Sequence, residues 1–113
     1  MDVAAEHGVR HVGTSNGTCQ FGDVTATDGR TKALNLVQLI DDENFFPKYN
    51  AALVMRKSFA EAHPQVSQVM APISRLLTNE TITELNRQVD VDGEEPATVA
   101  RDWLMQQGFV TAG

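Results

Sequence analysis

The chain has 113 residues, a formal net charge of −6 and a single cysteine. That length is enough for one domain with a modest core, but not for two lobes with a cleft between them. The acidic balance excludes a basic surface for nucleic acid or anionic lipid, and no apolar run approaches the roughly 20 residues of a membrane helix. With 42% apolar and 21% charged residues, the composition is that of a folded globular protein.

The first 21 residues carry the least pattern in the chain. Asn16-Gly17 predicts a tight turn between two short segments, Val9–Val12 and Thr18–Phe21. Residues 1–22 lack the apolar core of a secretory signal, so the sequence as it stands predicts no export signal.

His7 and His11 are four residues apart, a spacing that suits a metal ion when both lie on a helix. Gly8 lies between them and no third ligand is close in sequence, so ordinary surface histidines are the favoured interpretation. Cys19 has no basic neighbour that would activate it as a nucleophile. The sequence therefore predicts no metal site and no other cofactor.

Three segments in the first half of the chain have the pattern of β-strands: Asp23–Thr27, Ala33–Asp41 and Tyr49–Met55. The first ends in an Asp-Gly turn, and the third alternates its apolar side chains between two faces. Pro47 restricts the backbone of Phe46 and predicts a well-defined corner before the third segment. The carboxylates of Asp41–Glu43 lack the spacing of a calcium-binding loop and are interpreted as a solvated turn.

From residue 58 onward, the apolar residues recur with the period of helices. The predicted helices are Ser58–Ala62, Pro64–Leu77, Asn79–Val91 and a last one that Pro96 opens and Gly108 stops. Thr78 is the predicted cap of the third helix. Pro72 lies inside the second and predicts a kink or a short break, because proline lacks a backbone donor.

These elements together predict an α/β fold, in which a small sheet of three strands is covered by three or four C-terminal helices. No internal repeat or low-complexity segment divides the chain further. No nucleophile elbow, phosphate-binding glycine loop or Cys/His cluster is present in the sequence, so the chain is not predicted to be an enzyme.

Four motifs follow one another in an order that is specific to one family: TDGR at 27–30, FFPKYNAA at 45–52, the run from LLT at 76–78 to VDVDG at 89–93, and VARDWL at 99–104. With them, the chain resembles the C-terminal portion of the substrate-binding proteins of ABC importers for glycine betaine, choline and related osmoprotectants. The likeness extends from about Gly22 to Phe109, so residues 1–21 stay unassigned and residues 22–113 are interpreted as a partial binding domain. The resemblance implies part of a type II periplasmic binding protein, which is a hinged molecule of two lobes.

The same resemblance implies where a ligand would bind. In the family, the tyrosine of a D-A-Y-S-T-D-G pattern forms one wall of an aromatic cage around the ligand's quaternary ammonium, and this chain has Thr25 at that position. Threonine has no ring face over which a cation could lie. The tyrosine of the family's FFP-x-YNAA pattern, here Tyr49, belongs to the same cage and is the aromatic wall that the chain retains. Asp28 and Asn50 are the supporting polar groups, with the end of a turn as the alternative role for Asp28.

The resemblance therefore implies a binding protein that delivers betaine- or choline-like compounds to an ABC permease by caging the ammonium and closing its lobes. It implies an extracytoplasmic protein, or a cytoplasmic one if the gene begins at Met1. With about one wall left, the chain by itself is expected to bind such a ligand weakly. The alternative is a truncated relative that acts as a self-associating interaction protein, and a homo-oligomer is expected because apolar surfaces would otherwise stay bare.

Overall fold

The structure, a computed structural model, describes residues 7–47 and 50–111, with side chains from residue 9 onward. The chain forms two compact units, of which the first combines Met1–Gln38 with Leu77–Gly113 and the second is Leu39–Leu76. The described residues contain these helices: α1 His7–Ser15, α2 Gly29–Ala33, α3 Lys57–Ala62, α4 Gln65–Leu76, α5 Asn79–Asp90 and α6 Pro96–Gln106. None of them is long and apolar enough to cross a membrane.

The predicted α/β fold is wrong, because the described residues form helices joined by irregular segments and contain no strand. Asp23–Thr27 is irregular and ends in a turn. Ala33–Asp41 begins at the last residue of α2 and then continues without regular structure, with Asn35 at a φ of 51°. The described part of Tyr49–Met55 makes no backbone hydrogen bond to another described segment. Alternating apolar residues form a strand only where a neighbouring strand supplies donors and acceptors, and within the described ranges none does.

Helix α1 overturns the predicted tight turn near the N-terminus. Val9–Val12 is helical, so it cannot be one arm of a turn with Thr18–Phe21. Asn16 and Gly17 instead end the helix: the N–H of Asn16 donates to a helix carbonyl at 2.9 Å, and Gly17 has a φ of 81°. A glycine with positive φ commonly follows a helix, and an Asn-Gly pair fits that position as well as it fits a hairpin.

The structure confirms the predicted ends of the last two helices to within one or two residues. The hydroxyl of Thr78 accepts a hydrogen bond from the N–H of Thr81 at 3.2 Å and so caps α5. Helix α6 begins at Pro96, and Gly108, with a φ of 77°, follows its end. In the first unit, α2 and α6 both pack on α5, and Val99 of α6 is a buried apolar side chain.

The second unit contains α3 and α4 and has no buried residue among those that the structure describes. Helix α4 continues through Pro72, so the predicted break is absent and the proline costs one intrahelical hydrogen bond. Several large apolar side chains of this unit are more than half exposed: Leu39, Ile40, Phe45, Phe46, Leu53, Val54 and Val69. Burial within the unit therefore contributes little to its stability.

Candidate functional site

The turn that precedes α2 carries two of the predicted site residues, Thr25 and Asp28. The backbone N–H of Asp28 donates to the carbonyl of Thr25 at 3.0 Å. One carboxylate oxygen of Asp28 accepts from the N–H of Arg30 at 3.0 Å and caps α2. The other oxygen lies 3.6 Å from His11 Nε2 and 4.0 Å from Arg30 Nη1. Asp28 thus begins a helix, while the side chain of Thr25 is exposed.

Helix α1 holds this segment from two points. His11 is 1% exposed, so the prediction of a surface histidine is wrong for this residue, and its ring contacts the carboxylate of Asp28. Arg10 forms an ion pair with Asp23, with 3.2 Å between Nη1 and Oδ2. The side chain of His7 lies outside the described part of the chain. The sequence gives no signal that His11 is buried, because it lies next to a charged residue, Arg10. Its burial depends on helix α1, which was not predicted.

Helix α5 holds the same turn from another direction. The side-chain amide of Asn86 donates to the carbonyl of Thr27 at 2.8 Å, across 59 residues of sequence. Gly29 is buried against the backbone of α5, and a Cβ atom at this position would lie 2.4 Å from both the Cα and the N of Arg87. The TDGR motif therefore packs against the second half of the motif at residues 76–93, which contains α5.

Ion pairs fasten α2 to α5 and α5 to the loop that follows it. Glu84 contacts Lys32 of α2 and, at 2.8 Å, the guanidinium of Arg87, which also contacts the carboxylate of Asp92 at 2.7 Å. Hydrogen bonds from Arg87, and then from Lys32, lower the pKa of Glu84 to about 2. The hydrogen bonds to Glu84 likewise raise the pKa of Arg87. The lowered pKa keeps Glu84 charged at neutral pH, so its pairs with Lys32 and Arg87 are intact there.

The remaining predicted site residues belong to the second unit. Asn50 is exposed, and Tyr49 lies outside the described residues. The turn before α2 joins Thr25 to Asp28, whereas the structure relates neither of them to Asn50. The site therefore stays a prediction.

The corner before Tyr49 is defined by a side chain that the sequence marked only as part of an acidic turn. The carboxylate of Asp41 accepts from the N–H of Phe45 and from that of Phe46, both at 3.0 Å. The two rings meet edge to face, with centroids 5.1 Å apart, and both are exposed. Asp41 therefore fixes the backbone conformation of Phe45 and Phe46.

Two open grooves border α5 in the first unit. One, of about 410 Å³, lies along α5 and α6, and Trp103 is the aromatic residue in its lining. The other, of about 370 Å³, lies beside the turn at Ala26 and has no aromatic residue in its lining. Neither groove offers a cation more than one aromatic ring.

Comparison with known proteins places these features in a family. The family described as the substrate-binding domain of the ABC-type glycine betaine transport system matches residues 12–106. The chain belongs to this family. The match confirms the resemblance given by the sequence motifs, and it begins inside the segment 1–21 that those motifs left unassigned.

Individual members of the family are similar over most of the chain. A glycine-betaine-binding protein of Pseudomonas aeruginosa is 39% identical over 87 residues, which are 77% of this chain and 28% of that protein. The ergothioneine transport permease and binding protein EgtU of Helicobacter pylori is 37% identical over 87 residues, 77% of this chain and 16% of EgtU. The solved structure of apo YehZ from Escherichia coli matches with a TM-score of 0.85 and 29% identity, over 96% of this chain and 40% of that one. The chain thus spans less than half the length of each of these relatives.

Proposed function

We propose that the chain forms part of a substrate-binding subunit that delivers betaine-like compounds to an ABC permease, without catalysing a reaction. The family match over residues 12–106 carries this proposal, because it contains every motif on which the resemblance rests. Glycine betaine and ergothioneine, which the names of two relatives mention, both combine a trimethylammonium group with a carboxylate. A quaternary ammonium is therefore the group that we propose for recognition, in an extracytoplasmic protein.

Within this proposal, Tyr49 is one aromatic wall of the site, and Asp28 and Asn50 supply polar groups. Thr25 takes the place of a second wall. The exposure of Thr25 at a turn that two helices hold supports a position from which a larger side chain could meet a ligand.

The chain by itself is expected to bind glycine betaine or choline no tighter than the millimolar range. Each aromatic wall contributes about 0.5–2 kcal/mol, and about 1.4 kcal/mol corresponds to a tenfold change in affinity. Isothermal titration of the chain with glycine betaine measures this directly. Tyr49→Ala should abolish the residual heat, whereas Phe45→Ala, at an exposed ring outside the proposed cage, should leave it unchanged. A micromolar dissociation constant for the unaltered chain would contradict the expectation.

A second candidate function is self-association, and the exposed apolar side chains of the second unit favour it. Ile40 and Val54 are each 88% exposed, and no described residue of this unit is buried. Soluble monomers rarely leave large apolar surfaces bare, and a two-fold contact between copies is the commonest way to cover one. We propose that isolated copies of the chain associate through this unit.

Light scattering coupled to size-exclusion chromatography is expected to give at least twice the 12.4 kDa mass of one chain. Changing Ile40 and Val54 together to lysine should return the mass to that of a monomer, because burying two ammonium groups is costly. Val9→Lys, at an exposed valine of the first unit, is the control and should leave the oligomer intact. A monomeric mass at high micromolar concentration would overturn the proposal.

A further inference from the structure

The turn that carries Thr25 is attached to α5 by Asn86, a residue to which the sequence analysis assigned no role. Asn86 donates from its side-chain amide to the carbonyl of Thr27 at 2.8 Å, and both residues are partly buried. The next backbone donor, the N–H of Asp28, closes the turn on Thr25 at 3.0 Å. Asn86 therefore holds the turn at Thr27, two residues after Thr25, and so influences the direction of the side chain at residue 25.

The neighbouring contacts hold the residues after Thr27 but not Thr27 itself. Asp28 caps α2, and Gly29 is wedged against the backbone of α5. Without the amide of Asn86, the carbonyl of Thr27 would lose its protein donor while partly shielded from water, which favours a different turn conformation. The bond from Asn86 thus selects one conformation for residues 25–28.

We propose that Asn86 is a positioning residue of the ligand site: it fixes the turn so that a side chain at residue 25 points where the ammonium is bound. This inference rests on the proposed function, since the direction of residue 25 matters to binding only if a ligand lies there. A cation–π contact needs the cation within about 6 Å of the ring centre, so a small displacement of the turn removes it.

The test uses Asn86→Asp, which keeps the shape of the side chain and replaces its donor with an oxygen that repels the carbonyl. The control is Asn79→Asp, the same change at the exposed first residue of the same helix. A nitroxide label at residue 25, attached through Thr25→Cys in a Cys19→Ser background, reports the order of the turn by electron paramagnetic resonance. A second label, on Thr98→Cys of α6, reports general loosening of the unit.

Asn86→Asp is expected to raise the mobility of the label at residue 25 and leave the label at residue 98 unchanged, while Asn79→Asp alters neither. If Asn86→Asp does not fold, Asn86→Ala removes the same donor without adding a charge. Unchanged mobility at residue 25 in a folded Asn86 variant would overturn the proposal. So would an equal rise at both labels, because that result means a general structural role.

Ligand binding provides the second readout. Thr25→Tyr should tighten glycine betaine binding by about 2- to 30-fold, since it restores one aromatic wall. Adding Asn86→Asp should remove this gain, and a gain that survives would overturn the positioning role. If Thr25→Tyr gives no gain even with Asn86 present, the proposed ligand site at residue 25 fails. The positioning role in binding then fails with it, although the label can still show that Asn86 orders the turn.

Discussion

Gly29→Ala is expected to lower the free energy of unfolding of the first unit by about 3 kcal/mol or more, at or above the upper end of the usual cost of overpacking. The added Cβ would lie 2.4 Å from the Cα and the N of Arg87 and 2.8 Å from the carbonyl carbon of Asn86. All three are backbone atoms of a helix, so no side chain can rotate to make room. The axes of α2 and α5 would have to separate, which breaks the hydrogen bond to Thr27 as well.

Gly13→Ala is the matched control for this substitution. Gly13 lies inside α1, and a Cβ atom there would meet the sulfur of Cys19 at 3.6 Å, an ordinary contact distance. Because alanine loses less backbone entropy than glycine in a helix, this variant should be more stable by about 0.5–1 kcal/mol. Urea denaturation followed by circular dichroism measures both changes. Equal effects of the two substitutions would show that the close approach at Gly29 does not limit the packing.

The later helices could be predicted because their signals are local. The period of the apolar residues in α4, the cap at Thr78 and the proline and glycine that bracket α6 all act within a few residues of sequence. The prediction of strands failed, because a strand does not depend on local signals alone. Alternation along Ala51–Met55 describes what a strand would bury, but a strand also needs a neighbour, and no neighbouring strand is present in the described ranges.

The candidate site was predictable only as a set of motifs. TDGR and the motif at residues 76–93 identify the family, but the resemblance does not say which residues of the two motifs contact each other. Asn86 and Thr27 are 59 residues apart in sequence, and their contact depends on the packing of α2 on α5. Gly29 illustrates the same limit, since an Asp-Gly pair indicates a turn and gives no sign that a second helix presses on it.

Glu84→Gln is expected to flatten the dependence of stability on pH between about 4.5 and 2. The folded chain holds the pKa of Glu84 at about 2, below the ordinary value of 4.5, chiefly through hydrogen bonds from Arg87 and Lys32. A carboxyl whose pKa is lower in the folded state stabilises the fold above its ordinary pKa. That contribution is lost as the pH falls towards the folded value. The unaltered chain should therefore lose stability across this window, and Glu84→Gln should lose less.

The size of the effect follows from the exposure of the pair. The lowered pKa alone corresponds to about 3 kcal/mol, but the side chain of Glu84 is 33% exposed, and solvent screening reduces the contribution to about 1 kcal/mol. Glu61→Gln is the control: its partner Lys57 is 91% exposed and 3.8 Å away, so removing this pair should change stability by less than about 0.5 kcal/mol. Urea denaturation at pH 7, 4.5, 3.5 and 2.5 compares the three proteins. If Glu84→Gln follows the unaltered chain in parallel down to pH 2.5, Glu84 does not link α2 to α5 through its charge.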